Sequence, residues 1–222
     1  MPRTARRHAS ASRVAAINQL KALIVGAPDD LRAELRGLST TAQITRCAGM
    51  RDRPARSLAH RMTVRVLHTT AQRIGYLQAE IDELGDRLAP LVDAIAPWLV
   101  DLPGIGPVTA AQVLVSWSYG GRLRSEAAFA MLGGAAPIEA SGKVVRHRLN
   151  RSGDRQLNRA LHTIVLARLR DDPATRAYAA RRTAEGKTPR EVRRCLKRFV
   201  ARQLFKLLER CDQPGVEVMR AA

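Results

Sequence analysis

Aromatic side chains are scarce in this chain, with three Phe, three Tyr and two Trp among 222 residues. A folded core must therefore be built from Ala, Leu, Val and Ile. Cysteine is scarce too. Cys47, Cys195 and Cys211 stand at no spacing that suits a metal site or a disulfide framework. Three scattered thiols without a signal sequence point to a reducing, cytoplasmic setting. No apolar run is long enough to cross a bilayer, so a membrane is not among the expected partners. Internal repeats and low-complexity blocks are also missing. Above all, acids are short: 20 Asp and Glu face 38 Lys and Arg, for a formal net charge of +18.

What is present fits a folded, helical, polyanion-seeking protein. Hydrophobic residues make up 45% of the chain, enough for a packed core in one or two domains. Ala and Arg both have high helix propensity. Arg outnumbers Lys several-fold and recurs along the chain. Its planar fork can hold a phosphate through two hydrogen bonds, whereas Lys acts as a point charge. A GC-rich genome accounts for part of the Arg content but not for the shortage of acids. Nucleic acid is the partner this balance suggests.

The chain divides into regions of different texture. Residues 1–62 read as a basic arm, Pro2 to Arg7, followed by short helices. Val14, Ile17, Leu20 and Leu23 share one face, and Asp29 or Asp30 is placed to cap a helix through Leu31 and Leu35. Residues 63–100 carry the longest periodic stretch: Leu67, Ala71, Ile74, Leu77, Ile81, Leu84, Leu88, Leu91 and Ile95 follow at steps of three or four. Such a seam can be buried by its own chain or can form an intermolecular coiled coil, giving a homo-oligomer. Residues 101–212 form a third region, and 213–222 a flexible tail. In the third region Pro107 to Trp117 reads as a helix with Pro in its first turn. Ser125 opens another that stops at Gly133-Gly134. Ile138 to Leu149 reads as a hairpin turning at Ser141-Gly142. Asp154 caps a helix to about Arg170, a further helix covers Ala174 to Glu185, and Thr188-Pro189-Arg190-Glu191 starts the last. The expected fold is mainly α: a helical bundle with a long coiled-coil-like helix, a helix-hairpin-helix motif and one small β-hairpin.

Three segments suggest chemistry. In Leu102-Pro103-Gly104-Ile105-Gly106-Pro107 the glycines allow positive φ and expose backbone N–H groups at a helix start. Such a turn can hold a phosphate oxygen without reading a base. An ordinary Gly-rich turn has the same appearance. The segment Ser141-Gly142-Lys143, with Arg146, His147, Arg148 and Arg151 downstream, places a hydroxyl among cations that could stabilise a pentacoordinate phosphate. A serine is a weak nucleophile without activation, and a turn serine supporting a hairpin is the simpler reading. Arg151, Arg155 and Arg159 recur at helical spacing beside Asn150, Gln156 and Asn158, a face suited to tracking phosphates. His162 reads as a satisfied core histidine. Arg190, Arg193, Arg194, Lys197 and Arg198 make the last helix amphipathic, through either a solvated face or a nucleic-acid surface.

Taken in order, four runs resemble one family: Leu102 to Pro107, Phe129 to Pro137, Ser141 to Lys143, and His147 to His162. It is the Piv-like DEDD transposase family of insertion sequences, whose full-length members are bridge-RNA-guided recombinases. The resemblance covers roughly Asp101 to Arg210, and the long helix upstream resembles the family's coiled-coil linker. It implies DNA as a partner, a guide RNA as a second one, and a bacterial, nucleoid-associated location. It also implies that Ser141 matches the serine that attacks DNA, although Ala140-Ser141 offers one serine where relatives often show two. Gly104, Gly106, Lys143, Arg146, Arg148, Arg151, Arg155 and Arg159 are then the expected nucleic-acid contacts. Full-length members also hold a divalent metal, expected to be magnesium, on four acids of an N-terminal RuvC-like domain. Nothing before Asp101 reads as the alternating strands of that domain. No metal site is therefore assigned within this chain, and a truncated transposase is expected. The competing expectation is a non-catalytic nucleic-acid-binding module or regulator of transposition.

Overall fold

The computed structural model describes residues 1–136, 138–140, 146–148 and 153–211, the two short stretches by backbone alone. Among these residues helix dominates. The chain forms two compact units, Met1–Leu88 and Ala89–Ala222.

Unit 1 begins with α1 (Pro2–Val25), α2 (Asp29–Arg36) and α3 (Thr40–Ala48), and α4 (Leu58–Ile95) runs from it into unit 2. The expected basic arm is instead the first turns of α1, which starts with Pro2 in the position that proline favours. Arg6 explains part of this: its Nε donates to the carbonyl of Ile81 on α4, 3.1 Å away. Ala9, Ala16, Leu20 and Ile24 are the buried residues of α1. Three of them join Leu35, Cys47, Leu67, Ala71 and Ile74 in one apolar cluster. The N-terminal part of the α4 seam is thus covered by the chain's own helices. Leu91 and Ile95, at the end of the seam, are exposed.

Unit 2 holds the remainder. After a single 3-10 turn (Pro97–Leu99) come α5 (Pro107–Trp117) and α6 (Glu126–Leu132). Strands β1 (Ile138–Ala140) and β2 (Arg146–Arg148) pair antiparallel. Three helices follow, α7 (Arg155–Asp171), α8 (Pro173–Ala184) and α9 (Pro189–Cys211). Helix α7 packs against α5, α8 and α9, and α6 against α9. Phe129, Leu157, Leu161, Ile164 and Leu204 are fully buried. The helix ends follow local chemistry. The Ser125 side chain caps α6, and Gly133 follows its last residue. Thr188 and Glu191 exchange hydrogen bonds at the start of α9 in a capping box. No helix among the described residues is long and apolar enough to cross a membrane.

Candidate nucleic-acid interface

The loop ahead of α5 separates the two glycines by role. Gly104 has φ +76, and a Cβ there would lie 2.9 Å from the Ile164 carbonyl oxygen and 3.2 Å from the Ala167 Cβ. Its lack of a side chain therefore serves close packing on α7 as well as the turn. Arg168 of α7 secures the same loop: its Nε donates to the Pro103 carbonyl (2.8 Å) and its Nη1 to Gln203 Oε1 (2.9 Å). Burial lowers the pKa of this guanidinium, opposed by the charge of Asp172.

Gly106 is different. Positive φ was expected at both glycines, but Gly106 has φ −101 and ψ 171, a conformation open to other residues. A Cβ there would meet open space. Its N–H already donates to Thr109 Oγ1 (3.1 Å), whose hydroxyl donates back to the Gly106 carbonyl (2.8 Å). The amides of Val108 and Thr109, in the first turn of α5, are the ones the helix leaves to an outside acceptor. A 3-10 turn rather than a full helix precedes the loop, and α5 takes α7 as a packing partner.

The start of α7 is pinned from several directions. Asp154 Oδ1 accepts from the amides of Gln156 (2.7 Å) and Leu157 (3.1 Å), as a capping aspartate should. Its Oδ2 accepts from the hydroxyl of buried Ser116 on α5, and Ser116 accepts in turn from Gln112 Nε2. The Asp154 amide donates to the Leu132 carbonyl at the end of α6 (2.8 Å). Just ahead, Gly153 has φ +123, and a Cβ there would lie 2.5 Å from the same carbonyl oxygen. These contacts hold Arg155 and Arg159 on the first turns of α7. Both are exposed and have no carboxylate partner among the described residues.

The strand register sets Ile138 opposite Arg148, Glu139 opposite His147 and Ala140 opposite Arg146. Arg146 and Arg148 thus take alternate positions, with His147 between them. Ser141 and Lys143, in the stretch between the strands, lie outside the described residues, as do Arg151 and the tail 213–222. Of the expected contacts, Gly104, Gly106, Arg155 and Arg159 are fully described, and they lie at different places: Gly104 packs on Ile164 and Ala167 in the second half of α7, whereas Arg155 and Arg159 stand on its first turns.

A group that sequence reasoning misplaced lies further along α7. His162 is half-buried rather than part of the core, and it lines a cleft of about 350 Å³ with Arg190, Arg193, Arg194 and Lys197 of α9. Burial lowers the His162 pKa, and the charges of Lys197 and Arg193 lower it further. Lys197, expected on a charged outer face, is only 8% exposed. Its Nζ donates to Asn158 Oδ1 (3.2 Å), while Asn158 Nδ2 donates to the Gly133 carbonyl (2.6 Å). The signal available in the sequence was the i, i+3, i+4, i+7 spacing of four cations on one helix.

Among the described residues, no group of three or more His, Cys, Asp or Glu could hold a metal ion.

Comparison with known proteins agrees with the ordered motifs. Residues 96–180 match the family model described as "Transposase IS116/IS110/IS902 family". The chain is also 35% identical over 116 residues to the "Insertion element IS110 uncharacterized 43.6 kDa protein" of Streptomyces coelicolor. That alignment covers 51% of this chain and 29% of the relative, so it spans less than a third of the relative's length. Both likenesses support the insertion-sequence transposase family, and the family match falls within unit 2.

Proposed function

We propose that unit 2 is the DNA-binding part of an insertion-sequence transposase, acting in DNA transposition and recombination, and that the Gly104–Gly106 turn belongs to a helix-hairpin-helix-like phosphate contact. The observation that carries this reading is the family match over 96–180, which contains the Gly104 loop together with exposed Arg155 and Arg159, neither paired with a carboxylate among the described residues. Phosphate contacts of this kind position a duplex without reading its sequence. They make affinity steeply salt-dependent, because each one releases counterions. Affinity for a generic duplex should therefore fall by orders of magnitude between ~50 and ~200 mM salt. Affinity that barely changes across that range would count against DNA binding.

Ser141 is the proposed nucleophile, on the strength of its place in the ordered motifs. Its Oγ would bond to a DNA phosphorus as the bond from phosphorus to a deoxyribose oxygen breaks. The serine proton leaves to solvent and the sugar oxygen takes one up. A metal-dependent partner domain and a guide RNA belong to this reading, with a full-length relative as their source in a test. A serine–DNA adduct on a denaturing gel, formed with such a relative present and lost in Ser141→Ala, is the expected result. A Ser141→Ala protein that supports recombination as well as the natural chain would remove the nucleophile and favour the non-catalytic binding module.

A further inference from the structure

The first turns of α9 are electrostatically costly for a structure that had only to fold. Arg190 and Arg194, and Arg193 and Lys197, are like-charge pairs four residues apart, a spacing that destabilises a helix. Arg190 and Arg193 also stand near the positive end of the helix dipole. No carboxylate among the described residues lines the cleft. Glu191, on the same helix, is committed to the Thr188 amide (2.8 Å) and hydroxyl (2.7 Å), and the charge of Arg194 acts on it from beyond ion-pair distance. Lys197 is buried with an amide oxygen, not an acid, as its hydrogen-bond acceptor. Its pKa is lowered, by burial first and then by Arg194. From α7 the cleft receives His162, one turn beyond Asn158 and Arg159. A cleft of about 350 Å³ with four cations, one imidazole and no acid among the described residues is shaped and charged for an anion. Helix α9 lies outside the residues that the family model matches, 96–180.

We propose that the cleft between α7 and α9, lined by His162, Arg190, Arg193, Arg194 and Lys197, seats a phosphodiester group of a nucleic-acid backbone. The proposal rests on the reading of unit 2 as nucleic-acid-binding and adds a site to it. A strand that tracks Arg155 and Arg159 along α7 reaches His162 on the next turn, so the cleft extends the same path. A bound phosphate would relieve the repulsion among the cations and stabilise protonated His162.

The test uses the full chain and two double variants that remove equal charge. Arg190→Gln with Arg194→Gln alters two exposed side chains of the cleft and leaves buried Lys197 in place. Arg170→Gln with Arg181→Gln removes two cations that already have carboxylate neighbours, Asp171 and Glu185. For a generic DNA duplex near ~100 mM salt, the cleft variant should lose about 10- to 100-fold in affinity and flatten the log–log salt slope by about one to two. The control should lose less than about 3-fold. In parallel, the His162 imidazole, assigned with His162→Gln, is titrated by proton NMR with duplex, with an RNA hairpin and with inorganic pyrophosphate. Its pKa should rise with each phosphate source the cleft accepts, and should not rise in the cleft variant. A larger rise and tighter binding with RNA would support the seat and assign the strand to RNA. Equal losses in the two double variants would overturn the proposal in favour of net charge. Duplex binding without any change at His162 would also overturn it while leaving DNA binding intact. A response to pyrophosphate alone, with neither nucleic acid bound, would overturn both.

Discussion

Units 1 and 2 are both helical and both rich in Arg, yet they are held by different chemistry. Unit 1 rests on an apolar seam in which Leu20, Leu35, Leu67 and Ile74 meet small residues such as Ala16 and Ala71. Five of its cations have carboxylate partners: Arg32 with Asp29, Arg46 with Glu34, Arg56 with Asp30, Arg61 with Asp52 and Arg87 with Glu83. Unit 2 adds to its core a set of long-range polar contacts. Asp154 reaches Ser116, Asn158 reaches Gly133, Arg168 reaches Pro103, and the Trp117 indole donates to Glu209 (2.7 Å). Its cations at Arg155, Arg159 and the α9 cleft lack acids among the described residues. Unit 2 forms ion pairs as well, Arg170 with Asp171, Arg181 and Arg182 with Glu185, and Arg202 and Lys206 with Glu126. What sets it apart is that four cations gather in one cleft with no acid among the described residues lining it. Polar contacts that pin the backbone around such a cation cluster give the layout of a binding surface.

The largest effect that would sharpen this contrast is expected in unit 1. Leu67 is fully buried in the seam, so Leu67→Ala should cost about 2–5 kcal/mol through lost burial and the cavity left behind. Denaturant unfolding measures it. A loss below about 1 kcal/mol would mean that the seam does not carry unit 1.

Next come the two glycines of the α5 loop. Gly104→Ala should destabilise by about 3 kcal/mol, because positive φ and overlap with the Ile164 carbonyl act together. Gly106→Ala meets open space at φ −101 and should change stability by less than about 1 kcal/mol. If it weakens duplex binding nonetheless, the effect is on the approach of a phosphate to the start of α5. Comparable thermal unfolding of the two variants would refute this division of roles. Asp154→Ala should follow at about 2 kcal/mol, through loss of the α7 cap and of the Ser116 acceptor.

The same contrast explains what was legible in the sequence. Helix boundaries in unit 2 were, because Pro107, Ser125, Asp154 and the Thr188–Glu191 box are local signals whose physics acts within one turn. The α4 seam was legible because leucine and isoleucine recur at helical steps. The start of α1 was not, since its buried face begins with alanine and its Arg6 contact lies 75 residues away. Gly104 could be singled out, but its packing on Ile164 and Ala167 depends on tertiary approach that no spacing encodes. His162 and Lys197 were misplaced for the same reason: which face of α7 meets α9 is decided by packing. Ser141 and Lys143 were legible only as motif positions, and they fall outside the described residues.

A smaller effect comes from pH. Burial and the cations of α9 lower the His162 pKa below its ordinary 6.5 in the folded chain. The unfolded chain therefore binds that proton more readily. The contribution to stability is present above about pH 6.5 and is lost as pH falls through the lowered folded value. Unfolding midpoints taken from pH 7 to pH 5 should drop less in His162→Gln than in the natural chain. Equal drops would detach His162 from the cations around it.

The smallest expected effect gives a probe for the comparison itself. Cys47 is fully buried in the unit 1 cluster, and burial, aided by the Glu34 charge and opposed by Arg46, pushes its thiol up to about 11 from an ordinary 9.0. Only the thiolate reacts, so near pH 8 the reactive fraction at Cys47 is roughly 100-fold below that of an unperturbed thiol, before burial restricts access further. Cys211 of α9 is exposed to solvent. With a thiol reagent at pH 8, Cys211 should be modified first and Cys47 only as unit 1 opens. Leu67→Ala should then speed labelling of Cys47 and leave that of Cys211 unchanged, because Leu67 belongs to the Cys47 cluster. Cys47 modified as fast as Cys211 in the natural chain would contradict a closed apolar seam in unit 1.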